Sequence, residues 1–123
     1  MKQIISTSNA PAAIGPYSQG IRLGELIFTS GQIPVDPESG GIPQGIEAQA
    51  HQACKNVAAV LQAGGSSLER VVKTTCFLAD MEDFARFNAV YEVYFTQKPA
   101  RSCVAVRELP KGVLCEIEVI AGR

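Results

Sequence analysis

Gly45-Ile46-Glu47-Ala48-Gln49-Ala50-His51-Gln52-Ala53-Cys54-Lys55-Asn56-Val57-Ala58-Ala59-Val60-Leu61-Gln62-Ala63 is the stretch from which the fold can be read. Ile46, Ala50, Ala53, Cys54, Val57, Val60 and Leu61 recur at steps of three and four, so a helix gathers them on one apolar stripe. Gly64-Gly65 follows and supplies the left-handed stop that helix C-termini favour. Beyond it, Arg70–Leu78 is rich in β-branched and apolar residues and reads as a strand. Asp80 is an N-cap for a second helix running to about Phe95, with Glu82 and Asp83 suited to its first turn. Phe84, Phe87, Tyr91 and Phe95 make its inner face, and Pro99 closes the region. Ser102–Arg107 and Val113–Ala121 read as two final strands joined by the turn Leu109-Pro110-Lys111-Gly112.

Upstream of the first helix, Ile33–Gly45 is a long loop carrying Pro34, Pro37 and Pro43, a length that in a compact domain usually serves function. Gln19–Leu23 and Leu26–Ser30 flank Gly24-Glu25 as a tight hairpin. Asn9–Tyr17 is an ordered loop, preceded by a strand at Lys2–Ser6. The order β, ββ, α, β, α, ββ gives a single α+β domain over residues 1–123, with about six strands and both helices on one face. Leu26-Ile27-Phe28 is apolar on both faces of its strand, so the uncovered side of the sheet needs a partner. A homo-oligomer is expected.

Composition narrows the classes of function. Eleven Lys plus Arg against 12 Asp plus Glu leave a net charge of −1, with no basic excess for gripping a phosphate backbone. A hydrophobic share of 46% excludes disorder, and no long uncharged apolar run suggests a membrane span. Met1-Lys2-Gln3-Ile4-Ile5 lacks the marks of a secretory leader, so a cytoplasmic location is expected. The four cysteines include no CxxC pair, and each sits in an apolar or alternating context that suits a buried free thiol. His51 and Cys54 lie one helical turn apart, but nothing nearby in sequence completes a tetrahedral metal site. The single histidine also leaves both a serine triad and a Cys103 nucleophile without an obvious base.

Polar residues at positions where the pattern places apolar ones are candidates for function. Asn88 falls on the stripe of the second helix, either fixing a loop by hydrogen bonds or touching a ligand. Arg101 opens a strand whose Arg101, Cys103 and Ala105 share a face. It is either a solvated edge residue or a bidentate clamp for a carboxylate. Glu116 and Glu118 share the alternate face of the last strand; they face water, pair with Arg101 or Arg107, or hold a water in a pocket beside Cys103. Tyr17 stands in a loop whose path Gly15 and Pro16 fix, and Ser30-Gly31-Gln32 ends a strand with a glycine that admits close approach.

These segments together resemble the RidA family, also called the YjgF or reactive intermediate deaminase family. The residues that carry the resemblance are Gly15-Pro16-Tyr17-Ser18-Gln19, Phe28-Thr29-Ser30-Gly31-Gln32-Ile33-Pro34 and Val72-Lys73-Thr74-Thr75. Asp80-Met81-Glu82-Asp83-Phe84, Phe87-Asn88, Tyr94-Phe95, Pro99-Ala100-Arg101-Ser102 and Glu116-Ile117-Glu118 continue it in order along the chain. The resemblance implies a chorismate-mutase-like fold and a homotrimer with ligand sites between subunits. It implies hydrolysis of 2-imino and 2-enamino acids, such as 2-aminoacrylate and 2-aminocrotonate, to 2-oxo acids and ammonia, without metal or organic cofactor.

Carried over by position, the resemblance has Arg101 binding the substrate carboxylate and Glu116 orienting the attacking water. Glu116 is preferred to Glu118 on its 15-residue offset from Arg101. The backbone around Gly31 and Cys103 hydrogen-bonds the substrate, with the Cys103 side chain lining the pocket. Tyr17 contacts the ligand across the subunit boundary, and Ser30 and Asn88 shape the cleft. The alternative is a non-catalytic trimer binding small regulatory ligands, or, following an older association of the family, a ribonuclease acting on translation. Arg101 favours the enzyme, and the charge balance disfavours RNA, although Arg70 and Lys73 form a small basic pair.

Overall fold

Gly24-Glu25 turns the chain as its sequence suggests. In the computed structural model, which describes residues 1–123, β2 (Gly20–Leu23) and β3 (Leu26–Thr29) pair antiparallel across it, with Gly24 at a φ of 60°. β1 (Lys2–Ile5) lies along the other side of β2. After a long loop come α1 (Ile46–Ala63), β4 (Val71–Leu78), α2 (Phe84–Tyr94), β5 (Ala100–Ala105) and β6 (Cys115–Gly122). The six strands form one sheet in the order β1-β2-β3-β6-β4-β5. Only β4 and β5 run parallel, and α2 provides the crossover that a parallel neighbour requires.

β6 is the strand that joins the two halves. It enters between β3 and β4 and is antiparallel to both. Its alternation sends Cys115, Ile117, Val119 and Ala121 into the core, and Glu116, Glu118 and Ile120 to the other face. Both helices cover the first of these faces. Ala50, Ala53, Cys54, Val57, Val60 and Leu61 of α1 and Phe87, Val90 and Tyr91 of α2 join one buried cluster with the inward residues of the strands. The two-layer α+β arrangement expected from the sequence is therefore present. The opposite face is bare, and Ile4, Leu23, Leu26, Phe28 and Val104 are exposed on it.

Three elements have boundaries that differ from the expectation by two residues or more. Asp80 caps a 3-10 turn at Met81–Asp83, accepting from the Glu82 backbone N–H at 2.9 Å, and α2 itself begins at Phe84. The short acidic turn satisfies its own donors before the helix proper starts. β5 begins at Ala100 rather than Ser102, because Ala100 already pairs with Lys73, and it ends at Ala105. β6 begins at Cys115 rather than Val113, since Val113 still belongs to the turn in which Lys111 and Gly112 have positive φ.

Buried amides hold the loops on this frame. Gln19 donates to the carbonyls of Thr7, Ala10 and Pro11 and accepts from the Thr7 N–H at 2.7 Å. Asn56, on the α1 stripe, donates to the carbonyls of Ile33 at 2.9 Å and Val35 at 3.0 Å. Gln49 reaches the Pro43 carbonyl at 3.0 Å and the Leu114 N–H at 2.7 Å. Each amide supplies partners that the irregular backbone would otherwise lack.

Candidate active site

The first half of the site lies where α2 meets the edge strand β5. The register sets Arg101 beside Thr74 and Cys103 beside Cys76, and both β4 residues are buried under the helices. Arg101 and Cys103 therefore point to the helical side but, being on the edge, stay partly accessible. Phe84, Asn88 and Tyr91 follow one another along α2 at helical spacing and meet the guanidinium in a row. Arg101 Nη1 donates to Asn88 Oδ1 at 2.6 Å, and its Cζ lies 4.7 Å from the Tyr91 ring centroid and 5.4 Å from that of Phe84. The Tyr91 hydroxyl is itself held by Thr74 Oγ1 at 2.7 Å.

This arrangement orients a cation without neutralising it. The two ion pairs of the chain are Arg86–Asp83 and Arg123–Glu25, so no carboxylate pairs with Arg101 or Arg107. Aromatic faces contribute roughly 0.5–2 kcal/mol to holding such a guanidinium, depending on its desolvation. One of its five N–H donors is taken by Asn88, and a planar fork remains for an anion. Arg101 is thus a stacked and hydrogen-bonded cation rather than a freely solvated edge residue. Asn88 is half-buried at the edge rather than in the core, and its role is to hold the arginine. Beside it, the Cys103 thiol is lowered to about 7 by hydrogen bonding with Cys76, against the effect of burial and with help from Arg101. The Cys76 thiol is pushed up, by Cys103 first and then by burial.

The second half lies on the other side of the sheet. Glu116 projects from β6 across Gly31, where the chain leaves β3 and makes a single bridge between Gln32 and Ile117. A Cβ on residue 31 would stand 1.9 Å from Glu116 Oε2, so the room left by the glycine is used by that carboxylate. Burial, and secondarily the neighbouring Glu118, raises the Glu116 carboxyl above the ordinary range. Gly31 and Tyr17 line a cleft of about 600 Å³ between the N-terminal loop, the 31–40 loop and the turn at Pro110-Lys111. The Ser30 hydroxyl donates to the Ser18 carbonyl at 2.5 Å, which fixes the loop carrying Tyr17 rather than facing the cleft.

The two halves do not meet within one protomer. Arg101 pairs at the level of Thr74 and Glu116 at the level of Phe77, on strands separated by β4. Two strand spacings and three residues of rise place their Cα atoms about 14 Å apart. Their side chains also leave opposite faces of the sheet. Within one protomer, strand alternation sends Cys103 and Glu116 to different sides of the sheet. Phe84 and Tyr91 were read as the inner face of their helix and Thr74 only as part of a family motif; the signal for more was the spacing that places Asn88 between the two aromatics. Gln19, Gln49 and Asn56 support the loops, a role that the sequence did not reveal for any of them.

A family model described as Endoribonuclease L-PSP matches residues 7–122. This chain belongs to that family. Among its Endoribonuclease L-PSP relatives, the 2-iminobutanoate/2-iminopropanoate deaminase of Salmonella typhimurium is 53% identical over 127 residues, covering 100% of this chain and 99% of that protein. The crystal structure of the YjgF gene product from E. coli has a TM-score of 0.95 at 53% identity, covering 98% of each chain. E. coli TdcF with bound serine has a TM-score of 0.95 at 49% identity, again with 98% of each chain covered. The family expected from the sequence motifs is thus the family found, with the same fold in its solved members.

Proposed function

We propose that this Endoribonuclease L-PSP family member is an imine deaminase that hydrolyses 2-imino and 2-enamino acids to 2-oxo acids and ammonia. The observation that carries the reading is the Arg101 guanidinium, held by Asn88 and two rings yet paired with no carboxylate. Such a group suits a small α-carboxylate. The Salmonella relative bears a deaminase name, and TdcF binds serine, itself an α-carboxylate ligand.

In this reading the substrate carboxylate docks on Arg101, which orients the C=N carbon for attack. Glu116, partly desolvated, accepts a proton from water as its oxygen adds to that carbon, and the proton passes to nitrogen. The tetrahedral carbinolamine then collapses, its hydroxyl proton passing to nitrogen as the C=O forms, the C–N bond breaks and ammonia leaves. Unpaired backbone groups on the edge strand around Cys103, and the backbone at Gly31, are available to hydrogen-bond the substrate. Tyr17 closes the cleft. Ser30 acts through the loop that it anchors. Little intrinsic catalysis is demanded, since activated imines already react with water, and the protein contributes position and electrostatics.

The same reading requires a second copy. Arg101 and Glu116 lie on opposite faces of one sheet, and the bare face exposes several large apolar side chains. A homotrimer in which each cleft takes Arg101 from one protomer and Glu116 from the next joins the halves and covers that face.

The test couples the purified protein to a threonine dehydratase and follows decay of the 2-aminocrotonate/2-iminobutanoate absorbance. Wild type is expected to accelerate decay. Arg101→Ala is expected to lose about a hundredfold in efficiency, the equivalent of about 3 kcal/mol for a lost charge-assisted contact, while staying folded. Uncatalysed decay in the presence of folded wild type would overturn the enzyme in favour of a binding module.

A further inference from the structure

Four free cysteines are present, and two of them face each other. Cys76 of β4 and Cys103 of β5 are register partners on adjacent strands and share the helical side of the sheet. Partners on neighbouring strands have Cα atoms about 4.8 Å apart, inside the roughly 4.4–6.8 Å window that a disulfide spans. Their exposure differs in a useful way. Cys103 is partly open at the sheet edge, whereas Cys76 is 0% exposed behind it. Cys54 and Cys115 are also 0% exposed, and neither has Cys103 as a register partner.

We propose that Cys76 and Cys103 form a dithiol that small hydroperoxides convert to an intrachain disulfide, Cys103 reacting first and Cys76 resolving. In the first step the Cys103 thiolate attacks the O–O bond of hydrogen peroxide, giving a sulfenic acid and, with one proton, water. In the second the Cys76 sulfur displaces the hydroxyl from the Cys103 sulfur and loses its proton, releasing a second water and closing the S–S bond. Peroxide takes the two electrons, so the step balances without a further partner. The position of Arg101, two residues before Cys103 on the same face, stabilises the attacking thiolate. This chemistry goes beyond imine hydrolysis and does not depend on it.

The strands make the product easy to map. Cleavage after lysine and arginine places Cys76 in the peptide Thr74–Arg86 and Cys103 in Ser102–Arg107, one cysteine in each. The folded protein is treated with near-stoichiometric hydrogen peroxide, its free thiols are alkylated, and it is digested without reductant. The expected product is these two peptides joined, two hydrogens lighter than their sum and separated by dithiothreitol. In Cys76→Val, Cys103 is expected to stop at the sulfenic acid and be trapped by dimedone. Three outcomes would overturn the proposal: Cys103 unmodified, Cys103 oxidised while Cys76 is alkylated, or Cys103 joined to the Cys103 of another copy. A trap yield at Cys103 equal in wild type and Cys76→Val would also do so.

Discussion

Glu116 is a carboxylate held where its charge is unwelcome. Burial comes first among the causes and Glu118 second. A raised native pKa means that the folded chain keeps a proton which the unfolded chain has already released. Stability therefore falls as pH climbs from the ordinary glutamate range through the native value. Glu116→Gln should remove that penalty. Thermal unfolding followed across a pH series is expected to give a higher Tm for the variant at neutral pH and a shrinking advantage under acid, while imine turnover is lost. A variant less stable than wild type at neutral pH would contradict the assignment. Gly31 belongs to the same argument: its sequence context pointed to a close approach, but the atom that approaches is Glu116 Oε2.

Among the elements, α1 was the most legible. Its apolar stripe could be read from spacing, and every residue assigned to that stripe is buried. What the stripe did not reveal was Asn56, a polar residue buried beside Ala53 and Val57. Its partners, the carbonyls of Ile33 and Val35, lie in a loop that no local pattern connects to the helix. Asn56→Leu keeps the volume and strands those two carbonyls, so a cost of about 2–3 kcal/mol in urea unfolding is expected. A loss well below 1 kcal/mol would mean that water replaces the amide. On α2, the aromatic face was read correctly as core, whereas the row Phe84, Asn88, Tyr91 acquires its further meaning only when β5 brings Arg101 alongside. That meeting depends on parallel pairing across a crossover, which is a long-range choice.

At the scale of the molecule, the number of strands and the one-sided helical layer could be inferred from element order and apolar alternation. The insertion of β6 between β3 and β4 could not, because nothing in the strand's own residues names its neighbours. That insertion also decides the site, since it fixes which face Glu116 leaves. The proposed trimer makes a sharp prediction for mixtures. Arg101→Ala and Glu116→Gln proteins are each expected to be inactive, but exchanging their subunits in equal amounts should restore about one quarter of wild-type turnover, because each mixed ring has one interface with both residues intact. No recovery from rings shown to be mixed would overturn the shared cleft.

The division of labour between the two faces of this sheet reaches into heredity. Two alleles damaged on different faces would rescue each other in one cell, although each alone is null. The same two lesions carried on one copy would give no such rescue beside another null. In the proposed trimer, defects at Arg101 and at Glu116 would thus fall into two complementation groups.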